Sequence, residues 1–181
     1  RPGYYHLNGE KMFITNGGKA ELIILIARTS DTELSAFFME TDQPGFRLTE
    51  RIDTVGVCAS NTVRFTMTDA IGWHTPCTFS EAISLLYRGR LGIAGMALGI
   101  AEKAFELCVD YAKQREQFNR KLADMQSVQN MIADSAMEIE AARGLLHRGA
   151  TMYDKGEDVV AISSMAKLFA SETANRATNR A

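Results

Sequence analysis

The 181-residue sequence has little cysteine, little proline and no long apolar run. Its cysteines, Cys58, Cys77 and Cys108, are scattered and form no C-x-x-C pair. That argues against a disulfide framework and against a zinc or other metal site, and it fits a reducing compartment. No stretch of about 18 apolar residues is present, so no membrane insertion is predicted. A net charge of -2 gives nucleic acid no bulk attraction.

Recognisable hydrolase and nucleotide-binding motifs are absent as well. His6, His74 and His147 lie in different segments, and none has a Ser, Cys or carboxylate at the spacing of a catalytic triad. His6 and His147 are interpreted as surface residues. Neither G-x-G-x-x-G nor a P-loop occurs. Glu138 and Glu140 are two residues apart on a predicted helix, do not face each other, and are interpreted as solvated.

The N-terminal part of the chain has the pattern of short strands. Asn8-Gly9 stands between two strand-like runs and predicts a hairpin. The continuous apolar run at 21–28 predicts a strand buried on both faces. Further strands are predicted at 35–40 and at 61–67, the latter half-buried because apolar and polar residues alternate. Short strands at this spacing indicate a small barrel or sandwich.

From about residue 79 the apolar period becomes helical. Three long helices are predicted, the second capped by Asp124 and ended by Lys155-Gly156, and the third beginning near Asp158. Small residues on their apolar faces suit a tight intrachain bundle and also helix pairing between subunits. The predicted apolar faces are Leu91, Ala94, Leu98, Ala101, Phe105, Cys108 and Ala112; Val128, Ile132, Ser135, Ile139, Ala142, Leu146 and Gly149; and Ile162, Met165, Phe169 and Thr173.

The two periods predict a multi-domain α+β chain. A small β-barrel or sandwich domain at 1–78 is followed by an antiparallel α-helical bundle at 79–181. The segment 69–81 is predicted to be a loop, with Ser80 and Glu81 opening the first helix. Because the sequence has no initiator Met and the third helix has no stop signal, we expect the natural chain to extend beyond both ends.

The segment REQFNRK (115–121) is predicted to be helical and surrounds the aromatic Phe118 with Arg115, Arg120 and Lys121. Arg binds phosphate bidentately, and an aromatic ring can flank a purine. The alternative is a helix C-terminus whose cations suit the macrodipole, with Phe118 in the core. The pattern alone favours this second interpretation.

Two long stretches resemble the acyl-CoA dehydrogenase family. YHLNGEKMFITNGGKAELIILIAR (5–28) resembles its middle domain, where an LNG-x-K hairpin leads into a K-x-[WF]-I-T-N-G strand. RLGIAGMALGIAEKAFELCVDYAKQREQFNRKLADMQSVQ (90–129) resembles the first helix of its C-terminal domain. The likeness covers nearly the whole chain, and the two stretches occur in the family's order.

The resemblance implies a fold and an activity. In this family FAD lies between a β-domain and a C-terminal four-helix bundle, and an all-helical N-terminal domain comes first. The enzymes dehydrogenate a fatty acyl-CoA thioester at Cα and Cβ in fatty acid β-oxidation and pass the electrons to an electron-transfer flavoprotein. Most are homotetramers built as dimers of dimers. The implied location is the cytoplasm of a bacterium or the mitochondrial matrix of a eukaryote.

The resemblance also assigns cofactor-binding residues. Phe13 matches an aromatic ring that packs near the flavin, and Thr15 matches a hydroxyl that hydrogen-bonds at flavin N5, with Ile14 between them. This reverses the interpretation of REQFNRK, since a guanidinium neutralises a diphosphate and a ring covers a base. The positions that match residues holding the FAD phosphates and adenine across the dimer interface are Arg115, Gln117, Phe118 and Gln126.

For the substrate, Ser60 matches a serine that contacts coenzyme A. The family's usual catalytic glutamate follows the third bundle helix, so the base is expected beyond Ala181. Some members place it instead at the position of Gly89, which cannot abstract a proton. The segment AIGWHTPCTF (70–79) departs from the family's V-P…G loop. The positions that match residues beside the acyl-CoA site are Tyr87, Arg88, Gly89 and Arg90.

Two alternatives remain open. A related flavoenzyme on the same fold, such as an acyl-CoA oxidase or a nitroalkane oxidase, would share these cofactor residues. A non-catalytic subunit or remnant would use the bundle only for assembly, which the glycine at position 89 favours slightly. Truncation of the chain explains the missing base equally well.

Overall fold

The computed structural model describes residues 3–181, in which a curled antiparallel sheet precedes three long helices. This confirms the predicted α+β class. The chain divides into two compact units after Ile83, and each is described by itself. The domain limits at 1–78 and 79–181 remain a prediction. None of the helices between residues 3 and 181 combines the length and apolar character that a membrane crossing requires.

Five strands form one antiparallel sheet in the first unit, and the last of them is central. That strand pairs with the first, third and fourth, and the second lies at an edge beside the third. Val63, Phe65 and Met67 are buried between more exposed neighbours, as the alternation predicted. The strands are β1 (Tyr4–Ile14), β2 (Leu22–Arg28), β3 (Leu34–Glu40), β4 (Phe46–Arg51) and β5 (Val63–His74).

The hairpin predicted at Asn8-Gly9 is wrong. β1 continues through both residues and pairs with β5, with a register shift between Leu7 and Gly9. Gly9 has a φ of 138°, and the Asn8 Oδ1 atom accepts the Asp69 N–H at 2.9 Å. The permissive backbone of Gly9 therefore serves a bulge inside a strand, which bends the strand without ending it.

The prediction that β2 is buried on both faces is also wrong. Ile23 and Leu25 are buried in the core, whereas Ile24 is 57% exposed. As an edge strand, β2 has one strand neighbour, β3. A continuous apolar run does not distinguish such a strand from a central one.

The loop predicted at 69–81 is mostly regular structure. β5 extends to His74, and helix α1 (Phe79–Gln114) begins five positions later. The strand continues through Asp69, although this residue has a left-handed φ of 52°. β4 was not predicted, because the Pro44-Gly45 turn masked the strand after it.

A capping box starts α1, although Ser80 is not its cap. The Thr78 Oγ1 atom accepts the Glu81 N–H at 3.2 Å, and the Glu81 carboxylate accepts the Thr78 N–H at 2.8 Å. This reciprocal pair satisfies two N–H groups at the helix start. Glu81 therefore has its predicted role with a different partner.

Helices α2 (Gln126–Asp154) and α3 (Val160–Arg180) follow a short 3-10 turn that contains Asp124. The predicted cap by Asp124 is wrong, because Met125 is the N-cap of α2 and no side chain caps it. The predicted end of α2 is confirmed. Gly156 has a φ of 71°, and its N–H donates to the Tyr153 carbonyl at 3.0 Å.

Successive helices run antiparallel and pack around a core of small residues, which matches the predicted faces except at Met165. A Cβ at Gly149 on α2 would lie only 2.7 Å from the Leu91 Cδ2 atom on α1, so glycine permits this close approach. Met165 is exposed, because α3 turns its alanines inward instead. The core residues are Leu91, Ala94, Ala97, Leu98, Ala101, Ile139, Ala142, Ala166, Ala170, Ala174 and Ala177.

Candidate functional site

The end of β1 presents an aromatic ring and a hydroxyl. Phe13 is 66% exposed and has a φ of 59°, a left-handed conformation that is strained for a residue with a Cβ. It lies in a register irregularity between Lys11 and Ile14. Thr15 is exposed, and no residue between 3 and 181 hydrogen-bonds to its hydroxyl. Ile14 between them packs against the sheet core and anchors the strand end.

A glycine turn follows Thr15 and is pressed against the sheet. The Gly17 N–H donates to the Ile14 carbonyl at 3.2 Å. A Cβ at Gly17 would lie 2.7 Å from the Val63 Cγ2 atom, so this residue is glycine for lack of space. The next residue, Gly18, donates its N–H to the Asn61 Oδ1 atom at 3.1 Å. Tertiary contacts therefore fix the backbone that carries Thr15.

Ser60 lies in the loop that reaches this turn. Its hydroxyl is 2.7 Å from the Thr62 hydroxyl, and its N–H donates to the Val57 carbonyl at 2.9 Å. Val57 has a φ of 53°, a conformation that β-branched residues avoid. Asn61, which follows Ser60, accepts the Gly18 N–H, so the loop that carries Ser60 is in contact with the turn after Thr15.

In the second unit, the segment predicted as a helix at 115–121 is a small hairpin. α1 ends at Gln114, after which β6 (Glu116–Gln117) and β7 (Arg120–Lys121) pair antiparallel. The turn residues Phe118 and Asn119 have φ values of 55° and 60°. Two successive left-handed residues define a type I′ turn, which suits a two-residue hairpin and ends any helix.

This hairpin exposes the side chains that the sequence singled out. Phe118 is 86% exposed, so the interpretation of it as a core residue is wrong. Arg115, Gln117 and Gln126 are exposed as well, and no side chain in the described range pairs with the Arg115 guanidinium. The hairpin is held by its backbone, with the Leu122 N–H donating to the Arg115 carbonyl at 2.9 Å.

These two places fit FAD by the chemistry of their side chains. An unpaired guanidinium suits a diphosphate, and an exposed ring at the tip of a turn suits a flat base. The exposed ring of Phe13 and the free hydroxyl of Thr15 suit a flavin in the same way. No group of three or more His, Cys, Asp or Glu within residues 3–181 is arranged to hold a metal ion.

The predicted substrate residues in the N-terminal third of α1 make contacts within the second unit. The Arg90 guanidinium lies 5.3 Å from the centre of the Tyr87 ring and donates to the Ser164 hydroxyl on α3 at 2.9 Å. The Arg88 guanidinium lies 6.0 Å from the ring of Tyr153 on α2. Arg90 is therefore fixed in position, with guanidinium donors to spare beyond the bond to Ser164.

Glu138 is not a solvated residue, which corrects that prediction. Its carboxylate, 17% exposed, pairs with Arg176 at 2.9 Å and with Arg180 at 3.3 Å, both on α3. Burial raises the pKa of Glu138, but the two guanidinium groups outweigh it and hold that pKa below its ordinary value of 4.5. Glu140 is exposed and pairs with Arg143. The Glu138 cluster joins two helices and gives no sign of catalysis.

The structure thus places the candidate residues in separate local groups. The first unit holds Phe13, Ile14 and Thr15 beside the loop of Ser60. The second unit holds the hairpin with Gln126 shortly after it, and the Tyr87–Arg90 pair in the N-terminal third of α1. Sequence reasoning missed Asn61, for which the only signal was the Gly17-Gly18 pair that leaves room for it.

Family models match both parts of the chain. The model for "Acyl-CoA dehydrogenase, C-terminal domain" matches residues 79–181, and that for "Acyl-CoA dehydrogenase, middle domain" matches residues 1–70. The "Acyl-CoA dehydrogenase" of Bacillus subtilis (strain 168) is 41% identical, over 97% of this chain and 49% of the relative. The "Acyl-CoA dehydrogenase, short-chain specific" of Megasphaera elsdenii is 37% identical, over 99% of this chain and 49% of the relative.

Solved structures agree with this likeness. The butyryl-CoA dehydrogenase of Megasphaera elsdenii superposes with a TM-score of 0.90 at 37% identity, over 98% of this chain and 49% of that one. A chain in the structure described as "Electron transferring flavoprotein of Acidaminococcus fermentans" has a TM-score of 0.89 at 38% identity. The match covers 97% of this chain and 49% of that one. The structure described as "PigA with FAD and proline" has a TM-score of 0.87 at 29% identity, and the match covers 97% of this chain and 49% of that one. The chain spans about half the length of the curated relatives it matches.

Proposed function

Because the chain belongs to the acyl-CoA dehydrogenase family, we propose that the complete protein is an FAD-dependent enzyme. It removes hydrogens from Cα and Cβ of a fatty acyl-CoA thioester and passes the electrons to an electron-transfer flavoprotein. The observation that carries the proposal is the 115–121 hairpin. It exposes an aromatic ring on a turn whose left-handed backbone costs conformational strain. It also exposes Arg115, just before the first strand of the hairpin, with no side-chain partner among residues 3–181.

Each residue has a stated part in holding the cofactor. Arg115 neutralises the diphosphate of FAD, and the Phe118 ring covers its adenine. Gln117 and Gln126 offer amide donors and acceptors nearby. When bound, FAD supplies the hydride acceptor of the reaction. The Phe13 ring packs against the flavin, and the Thr15 hydroxyl donates a hydrogen bond at its N5.

Substrate binding is assigned to the other two groups. Ser60 contacts the coenzyme A part of the thioester from its loop. Arg90, held by Tyr87 and Ser164, lies beside the acyl-CoA, with Arg88 and Gly89 lining the same approach. The proton at Cα is taken by a carboxylate that we place beyond Ala181.

Family membership and one solved neighbour also support the partner proposal. An acyl-CoA dehydrogenase delivers electrons to an electron-transfer flavoprotein, and a neighbour comes from a structure described by that name. We propose a homotetramer built as a dimer of dimers that works in fatty acid β-oxidation. It acts in the cytoplasm of a bacterium or the mitochondrial matrix of a eukaryote.

The proposal is tested by mixing the full-length protein, loaded with FAD, with saturated acyl-CoA thioesters in the absence of oxygen. We expect the visible absorbance of oxidised flavin to bleach and to return on adding an electron-transfer flavoprotein. Rapid return on adding oxygen alone would indicate an acyl-CoA oxidase instead. Protein that binds no FAD, or bound flavin that no thioester bleaches, would contradict the proposal and favour a non-catalytic assembly subunit.

A further inference from the structure

We propose that Asn61 is a positioning residue that holds the Thr15 turn and the Ser60 loop in fixed register. Through it, the flavin contact and the coenzyme A contact of the first unit are coupled. The inference rests on the proposed function, since it concerns how those two contacts are placed. Asn61 itself touches neither ligand in this assignment.

The first step is the bond that Asn61 makes. Its Oδ1 atom accepts the Gly18 N–H at 3.1 Å, across 43 positions of sequence. Gly18 is three residues after Thr15, and the turn between them carries the bond from the Gly17 N–H to the Ile14 carbonyl. The Lys19 and Ala20 N–H groups also donate to the Asn16 carbonyl, each at 2.9 Å, so the backbone closes the turn itself. Asn61 adds the side-chain bond that ties this turn to the distant loop.

The second step is the close packing around that bond. A Cβ at Gly18 would clash with the Asn61 Oδ1 atom and would come within 3.0 Å of the Leu48 side chain. At neighbouring Gly17 a Cβ would come within 2.7 Å of the Val63 side chain. The two glycines therefore let the turn lie directly against Val63, at the start of β5, and against Asn61 in the loop before it. A shift of the amide of Asn61 moves the turn with it.

The loop that precedes Asn61 in the sequence carries Ser60 and is itself held in place. Ser60 directly precedes Asn61, and its hydroxyl is fixed 2.7 Å from the Thr62 hydroxyl. The loop before it is held by the bond from the Ser60 N–H to the Val57 carbonyl at 2.9 Å. Asn61 is thus the residue of this loop whose side chain reaches the Thr15 turn. Displacing reacting groups by about 1 Å can cost on the order of 100-fold in rate, so such a link matters for catalysis.

The test uses the full-length protein with bound FAD and three variants. Asn61→Ala removes the acceptor, and Asn61→Asp keeps an oxygen acceptor for the Gly18 N–H. Asn8→Ala is the matched control, because the Asn8 Oδ1 atom also accepts a backbone N–H, that of Asp69 at 2.9 Å, elsewhere in the same sheet. Three quantities are measured: hydrogen exchange of the Gly18 amide, the visible circular dichroism of bound FAD, and the rate of flavin reduction by a saturated acyl-CoA thioester that bleaches the wild-type flavin.

We expect the wild-type Gly18 amide to be protected although the residue is exposed. Asn61→Ala should speed its exchange about tenfold, change the flavin dichroism and slow reduction about tenfold or more. Asn61→Asp should keep the Gly18 exchange rate, the flavin dichroism and the reduction rate close to those of the wild type. Asn8→Ala should change none of these three quantities.

Several results would overturn the inference. An unprotected Gly18 amide in the wild type would do so without any variant, which keeps the test decisive even if Asn61→Ala fails to fold. Flavin dichroism and reduction that are the same in Asn61→Ala and Asn8→Ala would overturn it while leaving the proposed function intact. Failure of the wild type itself to bind FAD would overturn the proposed function, and the inference would fall with it.

Discussion

The two units present their candidate residues in opposite ways. In the first, the segment from Phe13 to Gly18 is pressed against a sheet, and its backbone is tied to a distant loop through Asn61. In the second, the hairpin around Phe118 is held by its own backbone and projects its side chains into solvent. A substitution of the packed glycines at the first place should therefore disturb the fold, whereas the removal of an exposed side chain at the second should mainly change ligand binding.

The largest effect on the free energy of unfolding is expected from Gly17→Ala, which tests how tightly the segment from Phe13 to Gly18 is packed against the sheet. The added Cβ would lie 2.7 Å from the Val63 Cγ2 atom and 3.0 Å from the Ile14 Cγ2 atom. Overpacking of this kind costs about 1–3 kcal/mol of unfolding free energy. Denaturant unfolding measures the loss.

Gly56→Ala is the matched control for this prediction. A Cβ at Gly56 meets no atom within 4 Å, so the substitution should leave the unfolding free energy within about 0.5 kcal/mol of the wild type. Equal stability of the two variants would show that the turn is not held against the sheet.

Arg115→Ala should separate binding from folding in the second unit. A charge-assisted hydrogen bond to phosphate contributes about 1.5–3 kcal/mol, so FAD affinity should fall roughly 10- to 100-fold. The midpoint of thermal unfolding without FAD should not change, because the side chain has no partner among residues 3–181. Arg120→Ala, on the same hairpin, is the control and should weaken FAD binding less. If loss of stability parallels loss of FAD, Arg115 is a structural residue.

Glu138→Gln should weaken the second unit at a place remote in sequence from the hairpin. Removing the charge from the cluster with Arg176 and Arg180 should cost about 1 kcal/mol at neutral pH, since all three side chains are partly exposed. The pKa of Glu138 is lower in the folded protein than its ordinary value of 4.5. Its contribution is therefore present above pH 4.5 and is lost as the pH falls below that value.

Unfolding free energies measured at several pH values check this prediction. The wild type and Glu138→Gln should differ at neutral pH and converge in acid. Glu140→Gln is the control on the same helix and should follow the wild type more closely. A difference between wild type and Glu138→Gln that grows in acid would contradict the assigned direction of the pKa.

A small effect on stability, of opposite sign, is expected from Phe118→Asn. Asparagine tolerates the left-handed conformation that Phe118 adopts at a φ of 55°, so the apo protein should gain a few tenths of a kcal/mol. Loss of the ring should at the same time cost about 1–3 kcal/mol of binding to the adenine base. Calorimetric titration with FAD and thermal unfolding measure the two changes. A variant that binds FAD as tightly as the wild type would show that the ring covers no base.

The parts of the fold that local pattern determines were predicted from the sequence. The inward face of α1, from Leu91 to Ala112, follows the helical period. Gly156 ends α2 because it adopts a left-handed conformation, which glycine favours. The alternation around Phe65 gave the buried face of β5. These features depend on neighbours within a few residues, so a sequence pattern captures them.

The features that failed depend on distant partners or on individual backbone angles. Asn8-Gly9 has the composition of a turn, but its partner Asp69 is 61 positions away and converts the turn into a bulge. REQFNRK has the composition of a helix, and two successive positive φ angles at Phe118 and Asn119 make it a hairpin. Neither the bond from Gly18 to Asn61 nor the pairing of Glu138 with α3 has a signal in local spacing.

The family resemblance named the candidate residues that pattern could not. Pattern alone treated Phe118 as a core residue, and the structure exposes it at the tip of a turn. Phe13 and Thr15 looked like the end of a strand, which they are, and the structure adds that both are exposed and that Phe13 is strained. Their roles toward FAD remain predictions.

The most direct measurement is the rate of flavin reduction in Thr15→Val. This substitution removes the hydroxyl and keeps the shape of an exposed side chain that has no partner among the described residues. In the full-length protein with bound FAD, we expect unchanged thermal stability and nearly unchanged FAD affinity. Reduction by a saturated acyl-CoA thioester that bleaches the wild-type flavin should slow about tenfold or more. Reduction at the wild-type rate would show that the hydroxyl at the end of β1 does not face the reacting part of the flavin.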